Sequence, residues 1–84
     1  MTVGEAIKRL KAKYPKLHVI DGCDYDKDHY MFTAVEDPNK VDYNDPYYAV
    51  NKKSGLIYSV DPTADLAKFS RAYYERNLNL GGEL

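Results

Sequence analysis

Apolar residues along the first fourteen positions recur three and four apart. Val3, Ala6, Ile7, Leu10 and Tyr14 fall on one side, while Lys8, Arg9, Lys11 and Lys13 occupy the other. This is the pattern of an amphipathic helix that turns one face to a core. Thr2 with Glu5 three residues later matches a capping box, so the helix should start there. Pro15 should end it, because proline disfavours helical geometry at Tyr14 and has no N–H to donate. From Leu17 the period shortens to two. Leu17–Cys23 predicts a first strand, with Leu17, Val19 and Cys23 on one face and His18 and Ile20 on the other. "DYDKD", Asp24–Asp28, reads as a polar turn. His29–Val35 predicts a second strand, with Tyr30, Phe32 and Ala34 on one face and Met31, Thr33 and Val35 on the other.

Periodicity then lapses over Glu36–Pro46, "EDPNKVDYNDP", which reads as a loop. It exceeds the roughly 2–5 residues of most hairpin connections, and long ordered loops are frequent carriers of function. Tyr47–Asn51 and Leu56–Val60 predict a third and a fourth strand. Between them "NKKSG" supplies Gly55 for the left-handed residue of a tight turn. Asp61 as N-cap and Pro62 at the first helical position should begin the last helix. Its apolar stripe would be Leu66, Phe69 and Tyr73, with Lys68, Arg71, Glu75 and Arg76 in water. Asn77, Gly81 and Gly82 mark a fraying end, with a tail over 78–84. The expected fold is a single α+β domain over 1–84 in the order α-β-β-β-β-α, built on a four-stranded antiparallel meander. Both helices on one face is the simpler arrangement for so short a chain, and a helix on each face is the alternative.

Composition narrows the function. With 84 residues the chain holds one core and no more. Nine Tyr against two Phe and no Trp suit a thin core whose rings keep their hydroxyls wet. A net charge of −1 gives no overall basic surface for direct nucleic-acid binding. The charge is uneven, however. Residues 21–45 hold eight carboxylates (Asp21, Asp24, Asp26, Asp28, Glu36, Asp37, Asp42, Asp45) against Lys27 and Lys40, whereas the first helix is basic. Cys23 is the only cysteine, which excludes an intrachain disulfide and a four-cysteine metal site. No signal-peptide pattern and no membrane-length apolar run is present, so no membrane partner is expected. The expected location is the cytosol of the cell that makes the protein.

Candidate chemistry is thin. Asp24-x-Asp26-x-Asp28 opens like a calcium loop. His29 then stands where the sharp turn needs Gly, and Val35 where the bidentate Glu belongs, so a solvated acidic turn is the plainer reading. His18 and His29 flank the first hairpin without a spacing that gathers three ligands. Cys23 lies between Asp21 and Asp24, which would raise its pKa rather than activate it. No nucleotide-binding or metalloprotease motif is present. The chain is read as non-enzymatic, without cofactor or metal.

The tyrosines are the stronger signal. Tyr25 and Tyr43 lie in acidic segments and are expected to be exposed. Tyr47 and Tyr48 are adjacent, so one of them must leave the core side of its strand. Tyr is favoured at protein interfaces. For Tyr48 and Tyr58 strand filling is the preferred account.

"YYAVNKKSGLIYSVDPTADLAKF", Tyr47–Phe69, resembles a pattern in small uncharacterised proteins encoded by phages and prophages of Gram-positive bacteria. "AIKRLKAKYP" and "GCDYD" echo it more loosely. The resemblance implies a phage or prophage origin, often among virion-assembly genes, and carries over no catalytic residues. A fainter similarity is to PepSY-type modules, in which a helix precedes strands ending in a comparable Gly turn. Those modules are usually exported or membrane-attached, and this chain lacks any such signal. The expected role is a small protein-interaction module in the host cytosol or a virion. It would dock another protein through a Tyr/Asp surface made of Tyr25, Asp26, Asp42, Tyr43, Asp45 and Tyr47. Two alternatives stand beside it: an acidic inhibitor that mimics a nucleic-acid backbone, and a small metal-binding protein or hydrolase.

Overall fold

The computed structural model describes residues 1–40 and 47–74. Helix α1 (Val3–Lys13) starts where its capping box places it. Glu5 N donates to Thr2 Oγ1 at 3.2 Å, and the Thr2 hydroxyl donates to Glu5 Oε1 at 3.3 Å. It stops at Tyr14, whose backbone has already left helical geometry ahead of Pro15. Strands β1 (His18–Asp26), β2 (His29–Val35), β3 (Tyr47–Asn51) and β4 (Ile57–Val60) form one antiparallel sheet in the order β1-β2-β3-β4, and α2 (Leu66–Tyr74) follows. The α+β meander expected from the period changes is the fold.

The helices lie on opposite faces of the sheet, not on one. Alternation along β2 decides this. Phe32 and Ala34 join Val19, Tyr48 and Val50 under Ala6, Ile7 and Leu10 of α1. Met31 points the other way and joins Cys23, Tyr25 and Tyr47 under Phe69 and Ala72 of α2. Thr33, Val35 and Ala49 are also buried, so β2 and β3 read apolar on both faces. A sheet apolar on two sides needs cover on two sides.

Strand β1 departs most from its expected pattern. Val19 pairs with Ala34 and Asp21 with Thr33, so two residues of β1 oppose one of β2. The extra residue is Ile20. It reverses the parity of everything beyond it. Val19 therefore packs under α1, while Cys23 packs under α2, although strict alternation had put them on one face. A second shift follows: Asp24 pairs with Tyr30 and Asp26 with His29, which leaves Tyr25 as the extra residue. Asp24–Asp26 is thus strand rather than turn, and only Lys27 and Asp28 make the reversal. Gly22 sits opposite Phe32, and a Cβ there would lie 2.7 Å from Phe32 Cδ1 and 3.2 Å from the Met31 carbonyl oxygen.

The β3–β4 turn forms as its sequence requires. Gly55 takes φ 73°, Gly55 N donates to Asn51 O at 2.9 Å, and Asn51 Oδ1 accepts from Lys53 N and Ser54 N. Helix α2 begins later than its Asp-Pro signal implied. Asp61 accepts from both the backbone N and the hydroxyl of Thr63 and so closes a turn. Asp65 is the N-cap instead, accepting from Lys68 N at 3.1 Å. The core-facing residues are Phe69 and Ala72, while Leu66 is 63% exposed. The side chain of Tyr73, together with Glu75, Arg76 and the expected tail, lies outside the described residues.

Gly22→Ala should lower stability by about 1–3 kcal/mol, because Phe32 is fully buried and the other close atom is backbone. Urea denaturation checks this, and an unshifted midpoint would mean that the Phe32 ring has room to retreat.

Candidate functional site

The densest polar cluster lies where the β1–β2 turn meets the start of α2. Asp26 Oδ1 accepts from Asp28 N at 2.8 Å and pairs with His29 Nδ1 at 2.9 Å. Its other oxygen accepts from Lys68 Nζ at 2.8 Å. The same ammonium stands 4.3 Å over the Tyr25 ring. Burial alone would raise the Asp26 pKa. The hydrogen bonds from Lys68, His29 and the Asp28 amide outweigh it and hold the carboxyl well below the usual carboxylate range. Lys68 is raised in return, chiefly by its hydrogen bond to Asp26. Burial pushes the Tyr25 hydroxyl up.

A carboxylate on a histidine is the orienting half of many hydrolytic sites. Here His29 Nε2 faces Asn51 Nδ2 at 3.5 Å, and its ring meets Tyr58 edge-on at 5.5 Å. Asn51 is no nucleophile, and Tyr58 meets the imidazole with its ring edge rather than through its hydroxyl. The Cys23 thiol is 1% exposed beneath α2. Asp24 takes Lys52 Nζ at 2.8 Å, and Lys52 lies over Tyr30, a residue of the α1 face. Asp24 and Asp26 therefore serve opposite faces of the sheet. Among the described residues no group of three or more His, Cys, Asp and Glu gathers to hold a metal ion. The cluster's evident work is mechanical: it fastens α2 to the first hairpin.

This places three of the residues singled out from the sequence. Tyr25 and Asp26 do come together, but beneath α2. Tyr25 is 9% exposed, against the expectation of a solvent-facing ring, because it follows Cys23 by two residues onto the α2 face, and the second bulge then turns Asp26 to the same side. Tyr47 packs edge-on against Phe69 at 4.8 Å. Lys68, expected in water, is the residue the sequence reading missed. Asp42, Tyr43 and Asp45 lie outside the described residues.

A second feature sits on the opposite face. The chain leaves α1 through Tyr14-Pro15-Lys16-Leu17, with Leu17 N donating to Tyr14 O at 3.0 Å. That turn, the end of β2 and the start of β3 enclose an open cleft of about 330 Å³, lined by Lys13, Tyr14, Pro15, Lys16, Leu17, Glu36 and Tyr48. Its floor is aromatic: the Tyr14 and Tyr48 rings stand 5.0 Å apart at 38°. Burial, and then the neighbouring Tyr14, raise the Tyr48 hydroxyl. Lys13, Lys16 and Glu36 are exposed at the rim. Sequence reasoning gave Tyr14 to the helix core and Tyr48 to strand filling. Nothing local says that they meet.

No protein-family model matches this chain, and neither does any curated protein or solved structure. No helix among the described residues is long and apolar enough to cross a membrane.

The Asp26 pairing predicts a defined acid response. Its folded pKa lies below the unfolded value, so the unfolded chain takes up the proton first as pH falls. The stability it supplies is whole above about pH 4 and drains away as the pH drops further. Asp26→Asn should therefore show a smaller difference in urea midpoint between pH 7 and strongly acidic solution than the parent does. Lys68→Met should lower stability at neutral pH by on the order of 1 kcal/mol.

Proposed function

We propose that this chain is a small non-enzymatic protein-interaction module that receives a partner at the cleft between the α1 exit turn and the β2–β3 end of the sheet. The observation that carries this reading is the cleft itself, with an apolar aromatic floor and a charged, exposed rim. Its volume is at the low end of the roughly 300–1,000 Å³ of small-molecule pockets and suits a single anchoring side chain. By contrast, the groups with catalytic potential in the Asp26 cluster are engaged in holding α2.

The docking surface proposed from sequence shifts accordingly. Tyr25, Asp26 and Tyr47 build the seat of α2, and from the 36–48 segment it is Glu36 and Tyr48 that line the cleft. The resemblance of Tyr47–Phe69 to phage and prophage proteins supports a place in virion assembly. Nucleic-acid mimicry draws less support, since Lys52 and Lys68 match the charges of Asp24 and Asp26.

A photo-crosslinking residue tests the proposal when placed at Glu36 on the rim and, separately, at exposed Thr63 before α2. In the cells that produce the protein, position 36 should trap one discrete protein adduct and position 63 should not. Leu17→Ala should weaken that adduct while circular dichroism verifies that the variant, whose residue 17 also packs against the α1 core, is folded. Equal trapping at both positions, or none at position 36, would sink the reading.

A further inference from the structure

Charge around the cleft identifies the kind of partner. Between positions 8 and 16 the chain carries Lys8, Arg9, Lys11, Lys13 and Lys16 and no carboxylate, and all five are exposed. Two of them, Lys13 and Lys16, stand at the cleft. Two cations, one at the end of the basic helix and one in its exit turn, therefore stand at a pocket with an apolar floor, while Arg9 lies over Gly55 of the β3–β4 turn. Resting on the docking reading above, we infer that the cleft takes an acidic protein segment with one apolar anchor residue. The anchor sits on Tyr14, Leu17 and Tyr48, and Asp or Glu side chains beside it lie along α1. Long-range attraction would steer the segment, and burial of the anchor would hold it.

Glu36 gives the contact a direction. Among the described residues it is the one carboxylate of the lining, and it follows the end of β2, whereas Lys13 ends α1 and Lys16 lies in the exit turn. It repels an acidic residue on its own side and accepts from an N–H or O–H there, so the acidic residues belong on the α1 side of the anchor. Single-stranded nucleic acid fits less well. Such binding needs open ring faces for stacked bases. Here Tyr48 is 8% exposed, Tyr14 leans on it, and Lys13 Nζ stands 5.5 Å over the Tyr14 ring.

The probe is a short fluorescein-labelled peptide with a Leu anchor preceded by Asp and Glu residues, titrated with the intact protein by fluorescence anisotropy and by amide chemical-shift mapping. It should shift the amides of Leu17, Glu36 and Tyr48. Lys13→Glu combined with Lys16→Glu should weaken it by about tenfold or more, as added salt should also do. A peptide with Gly in place of Leu should not bind. Both lysines are exposed, and circular dichroism verifies that the charge-reversed variant is folded. The inference is overturned if the charge-reversed variant binds the acidic peptide equally well, or if oligothymidylate occupies the cleft more tightly. It is overturned too if a Lys-flanked peptide with the same anchor shifts Leu17 and Tyr48 while the acidic one does not. In that last case the cleft still docks protein and only the partner chemistry is wrong. Loss of the position-36 crosslink would instead remove the docking reading itself.

Discussion

One extra residue in β1 governs how this sheet is covered. Ile20 has no counterpart on β2, and from that point β1 presents its odd-numbered side chains to the face opposite the one Val19 serves. A single strand thereby contributes Val19 to the α1 core and Cys23 to the α2 core. Without the reversal, Cys23 would fall on the α1 face, and α2 would lose the β1 residue on which Ala72 rests. The same reversal puts Gly22 opposite Phe32, where the ring needs the space a Cβ would fill. Bulges re-aim side chains at little backbone expense. Here the result is two thin hydrophobic clusters, one on each face of the sheet, where the length of the chain had suggested a single core.

The second bulge works with polar chemistry. With Tyr25 unpaired in the ladder, both Tyr25 and Asp26 turn to the α2 face, and Lys68 meets the two together. Alone, a partly exposed ion pair contributes little. This one is joined by His29 and the Asp28 amide, and its ammonium also lies on an aromatic face. A helix of nine residues with few apolar anchors gains orientation from it. The apolar contacts of Phe69 and Ala72 supply attraction without direction; the Asp26–Lys68 bond supplies the direction.

The cleft follows from the same architecture. Placing α1 alone on its face leaves its C-terminal end unshielded by a second helix. Pro15 forces the chain out of the helix there, and the aromatic floor stays open between the exit turn and the ends of β2 and β3. Lys13, the last of the cations that make α1 amphipathic, and Lys16 in the exit turn then border the opening. One feature of the sequence, a helix basic on its outer side, so serves both solubility and the proposed recognition of an acidic partner.

Element type and order were legible in the sequence, because capping box, period and turn chemistry act over a few residues. Thr2 with Glu5, Pro15, the alternation of β2 and Gly55 each specify their structure locally. The α2 start was less so: Asp61 and Asp65 are both competent caps, and the Thr63 hydrogen bonds to Asp61 close a turn that delays the helix. Of the candidate site, Asp26 was found for its charge and Tyr25 for its setting, but the burial of Tyr25 and the contact of both with Lys68 were not. Sequence alone thus determined the order of elements, the two-sided apolar character of β2 and the basic flank of α1. Only the tertiary structure decided the parity of β1, the assignment of one helix to each face, and the meetings of Asp26 with Lys68 and of Tyr14 with Tyr48. The physical reason is range. Backbone hydrogen bonds and periodicity are set between near neighbours, whereas a bulge is defined by the partner strand and an ion pair or a cleft by segments distant in the chain.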